Sequence, residues 1–131
     1  MAKPTKEHRD HWDRVAELGC ILTGQPAEIC HVHGGSIKLL GPDFQPGVAQ
    51  RQNHFLVIPL GWRIHRGQYG LDSWAEGPAA WEARWGQTQL SLLSQVSDRL
   101  GYSVFEKAGI DPVFAAAMVA TAQATLYDQS S

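Results

Sequence analysis

Six histidines and two cysteines are the side chains of this sequence best suited to do chemistry, and four of the histidines, His31, His33, His54 and His65, fall between residues 31 and 65. Imidazole titrates near neutrality and is a common ligand of zinc-like metals, so such a cluster points to general acid–base work or to a metal centre. His31 and His33 form a His-x-His pair. On a strand alternate side chains share a face, so these two are expected to point one way and Cys30 and Val32 the other. Gly34 and Gly35 follow, where a bare backbone can bend sharply or approach another group closely. His8 and His11 stand three residues apart in a helical pattern and are expected on its solvated face.

These residues need elements to position them, and the sequence supplies an α+β set within one domain spanning residues 1–131. Thr5 can cap a helix over residues 6–18, with Glu7 in its first turns and Gly19 just past its end. Two short apolar runs, residues 20–22 and 28–33, flank a Thr-Gly-Gln-Pro turn and predict a small hairpin. From Gly34 to about Asn53 glycine and proline are frequent and apolar periodicity is absent, which reads as one long, functional loop. Phe55 to Leu60 is an apolar run of strand length, followed by a short helix at Trp62–Arg66 and a stop at Gly67. Trp81, Trp85, Leu92, Leu93, Val96 and Leu100 fall near one helical face and predict a single long helix over 79–100. Asp111-Pro112 then opens an alanine-rich helix that runs to about Tyr127, so the C-terminal helices occupy 79–127.

Composition narrows the function classes. With 44% hydrophobic and 18% charged residues, a disordered tail, a collagen-like repeat and a cationic histone-like arm are all excluded. No apolar run reaches the ~18 residues of a membrane span and the N-terminus carries no secretory pattern, so a cytoplasmic location with no membrane partner is expected. Without such a signal, Cys20 and Cys30 read as thiols or metal ligands rather than as a disulfide. The net charge is −2, yet residues 1–70 hold eight Lys and Arg against six Asp and Glu. That balance permits a nucleic-acid-facing N-terminal half without arguing for one.

The string Cys30-His-Val-His-Gly-Gly-Ser36, the glycine-containing loop, Gln52-Asn-His-Phe-Leu-Val-Ile-Pro-Leu60 and Gly61-Trp-Arg-Ile-His65 together resemble the ββα-metal core of the HNH endonucleases. The likeness is nearest to the small phage and prophage HNH nucleases of the Ref type, and it extends through Trp81-Glu82 and Trp85-Gly-Gln-Thr-Gln89. It implies a ββα-metal (His-Me finger) core at residues 20–70, built from hairpin, long loop, strand and short helix, with further helices flanking it. It also implies a metal-dependent enzyme that hydrolyses or nicks DNA. By position, His31 matches the general base, Asn53 or His54 the middle element and His65 the metal ligand of the helix. A divalent cation (Mg, Mn, Ni or Zn) is the implied cofactor, DNA the implied substrate and a recombinase filament a partner suggested by the Ref likeness. Phosphodiester hydrolysis needs an activated water, a cation to carry the developing charge and fixed positioning, which these residue types can supply.

Two departures from the family pattern matter. Many relatives carry two Cys-x-x-Cys pairs that form a structural zinc knuckle, but here the corresponding positions read Cys20-Ile-Leu-Thr23 and Gly61-Trp62-Arg63-Ile64. Four cysteine ligands cannot be assembled, so the knuckle is expected to be absent, with Trp62 and Ile64 packed as apolar filling instead. Cys30 occupies a position where relatives place a metal ligand; either it ligates a softer metal, or it is a core cysteine and His33 takes the role. Lys38, Arg51, Arg63 and Arg66 surround the expected site in sequence and could hold phosphates. Trp81 and Trp85 read as core, and Trp62 stays open to a base-stacking role. The alternatives to a nuclease are a non-catalytic, DNA-binding or phage accessory module of the same shape, and a thiol hydrolase using Cys30 as nucleophile.

Overall fold

Val57-Ile58-Pro59-Leu60 contains no polar residue, a pattern that suits a strand covered on both faces. In the computed structural model, which describes residues 3–44, 53–73 and 75–130, these residues form strand β2 (Val57–Leu60) and all four are buried. Their partner is β1 (Glu28–His31), antiparallel, with Glu28 opposite Leu60 and His31 opposite Val57. The ladder continues through Val32 N to Leu56 O at 3.1 Å, which places Cys30 and Glu28 at hydrogen-bonded positions and Pro59 between them. Pro59 therefore has no ladder bond to lose, and its carbonyl, facing away from β1, accepts Ile21 N at 3.0 Å.

This pairing corrects the expected hairpin between residues 20–22 and 28–33. The Thr-Gly-Gln-Pro segment is a turn closed on itself, with Cys20 N donating to Gln25 O at 2.7 Å and Gly24 N to Cys20 O at 2.8 Å. β1 takes the distant β2 instead, because burying Val57, Ile58 and Leu60 contributes on the order of 1.5–3 kcal/mol per side chain. A local pairing with three residues offers less apolar area. The result is a mixed α+β fold with a two-stranded antiparallel sheet and several helices.

Around the sheet, α1 (Lys6–Glu17) begins at Thr5 with a reciprocal cap: Thr5 Oγ1 accepts His8 N, and His8 Nδ1 accepts Thr5 N. Residues Gly35–Leu40 and Pro42–Phe44 form two 3₁₀ helices within the expected loop, and the first buries Ile37 and Leu40. α2 (Trp62–Arg66) follows β2 directly. The single helix expected over 79–100 is two, α3 (Pro78–Trp85) and α4 (Gln89–Leu100). Gly86, at φ 65°, ends α3 in the left-handed conformation, and Thr88 starts α4 by accepting Ser91 N on its side chain. The apolar period crosses the break, but these two local caps outweigh it. α5 (Val104–Lys107) and α6 (Pro112–Ser130) complete the order. No helix among the described residues is long and apolar enough to cross a membrane.

One core is shared by all these elements: Val15 of α1, Cys30 of β1, β2, Ile37, Trp81 of α3 and Leu90, Leu92, Leu93 and Val96 of α4. Inside it sits a buried carboxylate, Glu82, which accepts Ser36 N at 2.9 Å, Gln89 N at 2.6 Å and the Ser36 hydroxyl. That network ties α3, α4 and the first 3₁₀ helix together, and it requires Gly35, since a Cβ there would meet the Glu82 carboxylate.

His11 is not on a solvated face; only 3% of it is exposed, between Tyr102 and the Phe55 carbonyl. Because Nε2 faces a carbonyl at 3.1 Å, it carries the proton, and Nδ1 accepts from the Tyr102 hydroxyl at 2.7 Å. Burial pushes its pKa down, reinforced by Arg14, His8 and Lys107 and opposed by the Phe55 carbonyl. The folded protein thus binds this proton less readily than the unfolded chain, so the stabilisation is complete above about pH 6.5 and is lost as pH falls toward the folded value. Urea denaturation at falling pH is expected to show this loss, with a shallower decline in His11→Gln than in the wild type.

Candidate functional site

Gly70 lets the chain turn back on α2 at the closest possible range: a Cβ there would lie 2.6 Å from the carbonyl carbon and oxygen of His65. The returning strand of backbone bonds to the helix it has just left, Leu71 N to Ile64 O and Asp72 N to His65 O, each at 2.9 Å. This return brings the Asp72 carboxylate against two imidazoles. Asp72 Oδ1 lies 2.7 Å from His33 Nε2, and Oδ2 lies 2.7 Å from His65 Nε2.

His65 is buried, and its other nitrogen, Nδ1, meets Glu28 Oε1 at 2.6 Å. Burial opposes charge on this ring, but the hydrogen bonds and charges of Asp72 and Glu28 outweigh it and raise the pKa. Glu28 in turn holds Arg66, whose Nε is 2.8 Å from the same oxygen. Burial disfavours the ionised form of Asp72 too, yet His33 and His65 hold its carboxyl well below the usual carboxylate range. Cys30 Sγ stands 3.9 Å from Asp72 Oδ1, and with His65 and Asp72 it forms a group whose potential ligand atoms lie within 4.8 Å of one another. Burial, then the charges of Asp72 and Glu28, push this thiol well above its ordinary pKa, so it stays protonated at neutral pH.

His33 reaches Asp72 because its backbone is clamped by Gln89, whose side chain is fully buried. His33 N donates to Gln89 Oε1 and Gln89 Nε2 donates to His33 O, both at 2.9 Å. β1 ends at His31, so strand alternation no longer applies at His33. The two histidines consequently separate, contrary to the shared face expected for them. His31 Nε2 lies 3.2 Å from His54 Nδ1, and both rings meet the Trp12 indole edge to face. Trp12 also anchors this pair by donating Nε1–H to His54 O at 2.7 Å. Burial, and next the neighbouring His54, lower the His31 pKa to about 4, against the opposing charge of Asp72. His31 is neutral at pH 7 and electrostatically in range of the Asp72–His65 cluster. Beside that cluster a cleft of about 360 Å³ opens between His33, Asp72, Glu76 and Pro78, and Asp72 remains 44% exposed at its side chain.

The remaining expected site residues are distributed differently. Asn53 faces away, accepting Phe55 N at 2.9 Å and donating to Ala108 O at 3.3 Å, so of the two candidates for the middle element it is His54 that meets His31. Lys38 is exposed on the first 3₁₀ helix, lining a separate cleft with Ser36, Ala122 and Leu126. Arg63 and Arg66 are exposed on α2, and Arg51 lies outside the described residues. Trp62 is 62% exposed rather than packed as filling, and Trp85 is 37% exposed whereas Trp81 is core. Asp72, Glu28 and Gln89 are the residues that sequence reasoning missed. Glu28 carried a signal, since it shares the Cys30 face of β1 two positions away. Asp72 and Gln89 carried none, because each reaches the site only through a tertiary contact.

The geometry yields two expectations. Gly70→Ala is expected to destabilise the fold by more than about 1 kcal/mol and to lower the His65 pKa as Asp72 is displaced. Denaturant titration and an NMR titration of the His65 ring check both. In native protein at neutral pH, Cys30 is expected to resist alkylation until the chain is unfolded, as peptide mapping after timed labelling would reveal. Set beside known proteins, the chain matches no family model, no curated protein and no solved structure.

Proposed function

We propose that this protein is a metal-dependent endonuclease of the HNH type, with a ββα-metal core formed by β1, β2 and α2, acting on DNA phosphodiesters. The observation that carries the reading is the convergence of His33, His65 and Asp72 beside a neutral His31. The donor set fits a divalent cation: the His65 imidazole, the Asp72 carboxylate and the Cys30 sulfur lie within 4.8 Å of one another, with His33 on the other Asp72 oxygen; nitrogen and sulfur suit borderline metals, and the carboxylate suits harder ones. Glu28 on His65 Nδ1 fits as well, since metal-bound histidines commonly hold their second nitrogen on a carboxylate, which fixes the tautomer. His65 and Asp72 would hold the ion, with Cys30 as third ligand or His33 brought in from its Asp72 contact. Once bound, it would supply Lewis-acid stabilisation of the charge that develops on the phosphate and leaving oxygen.

The chain's own residues then account for the remaining steps. His31, kept neutral by burial, has a lone pair available to take a proton from the attacking water. Base action at His31 Nδ1 requires the tautomer in which Nε2–H is donated to His54 Nδ1, 3.2 Å away, and Trp12 packs edge to face against both rings. Arg66, beside Glu28, and Arg63, both exposed on α2, would hold flanking phosphates. The protonated Cys30 thiol disfavours the thiol-hydrolase alternative. A second reading, a non-catalytic DNA-binding or phage accessory module, draws on the fact that both His65 nitrogens and both Asp72 oxygens already have protein partners.

Elemental analysis and a plasmid-nicking assay with magnesium, manganese, nickel or zinc decide between them. His31→Ala is expected to lower nicking by about 10²–10⁴-fold with metal content and circular dichroism retained. Asp72→Ala is expected to lose bound metal. Undiminished nicking by His31→Ala would overturn the base assignment, and protein that neither binds metal nor nicks DNA would leave the binding module standing.

A further inference from the structure

On the outer side of α2 lies a groove of about 540 Å³, lined by Trp62, Arg63, Arg66, Tyr69, Arg84 and Trp85 among others. Its size falls within the roughly 300–1,000 Å³ of ligand sites. Three large aromatics line it while staying accessible: Trp62 is 62%, Tyr69 48% and Trp85 37% exposed. Three guanidiniums share the lining, and among the described residues no carboxylate does. Two of them are tethered from outside, Arg66 by Glu28 at 2.8 Å and Arg84 by Glu76 at 2.8 Å, while Arg84 also lies 4.6 Å over the Tyr69 ring. Among the described residues Arg63 has no ion-pair partner.

In a chain whose net charge is −2, this is a local concentration of cation and π surface. Apolar ligands would leave Arg63 unanswered. A polyanion with flat, stackable groups satisfies both components: phosphates meet the arginines, and bases stack on rings that tolerate any sequence. In a duplex the base faces are already stacked and cannot reach Trp62 or Tyr69. The groove and the histidine cluster flank one helix: Trp62, Arg63 and Arg66 project outward from the same five-residue α2 that buries His65.

We infer that this groove binds the unpaired bases of a single-stranded polynucleotide, with the adjoining strand led across α2 toward His65 and Asp72. The direction of the strand rests on the nuclease reading; the binding itself does not. Trp62 supplies the main stacking platform, Tyr69 the second, and Arg63 a phosphate contact.

The test is fluorescence anisotropy in the presence of a chelator, using a labelled single-stranded DNA, an RNA of the same sequence and the matching blunt DNA duplex. Single strands are expected to bind at least about tenfold more tightly than the duplex. Trp62→Ala is expected to weaken single-strand binding by about tenfold with no effect on the duplex, and its exposed side chain makes an unchanged melting curve the control on folding. Arg63→Ala is expected to reduce the slope of log affinity against log salt by about 0.7 for single strands. Equal binding of duplex and single strand, or an unaltered single-strand affinity in both Trp62→Ala and Tyr69→Ala, overturns the inference and leaves the aromatics as a protein-docking patch. DNA tighter than RNA, or the reverse, identifies which strand it takes, and either supports it. The assay needs neither metal nor cleavage. Single-strand binding by a protein that never nicks DNA would sustain the groove and sink the nuclease, whereas nicking of duplex DNA with no single-strand preference would do the opposite.

Discussion

The Asp72 carboxylate, shared between His33 and His65, is the interaction on which the site depends. Its two oxygens join His33, two residues past the end of β1, to the buried ring of α2, at 2.7 Å each. A carboxylate half withdrawn from water is costly unless its charge is answered, and here two imidazoles answer it. The backbone pays attention to the same geometry. Asp72 N bonds His65 O, and the absence of a side chain at Gly70 permits that approach. Local backbone packing thus sets the position of a charge that no propensity would place there.

A second carboxylate, the buried Glu82, does comparable work for the His33 backbone. It binds Ser36 and the start of α4, and α4 presents Gln89 to the His33 backbone. The chain from Glu82 through Gln89 to His33 is continuous, so the break between α3 and α4 is part of how the site is positioned. An uninterrupted helix over the same residues would not offer Gln89 N as a free donor to Glu82, because a helix interior uses that group internally. The two polar networks hold the protein at places where apolar packing alone would leave the register of loops undefined.

The elements of strong local signal were legible in the sequence: α1 with its Thr5 cap, the apolar β2, the short α2 ended by Gly67, and α6 opened by proline at Pro112. Each rests on contacts within a few residues. The partner of β1, the break at Gly86 and the burial of His11 were misread. Pairing of β1 with β2 spans a long connection and is decided by burial, which has no local signature. His11 sits at helical spacing from Val15, so its place on the apolar side was within reach, but its polarity argued for solvent until Tyr102 and Phe55 supplied partners.

By itself, the sequence determined that the chain is an α+β domain, that its histidines concentrate around one strand–loop–strand–helix segment, and that His31, His54 and His65 belong to that segment. Composition and short-range spacing suffice for those conclusions, because strand, cap and turn preferences act over a few residues. Tertiary structure alone decided that His31 pairs with His54 while His33 joins His65, that Asp72 bridges the latter two, and that Trp62, Tyr69 and three arginines face one groove. The reason is physical: a side chain's partners and its pKa depend on what surrounds it in space, and the groups that surround these residues come from distant parts of the chain.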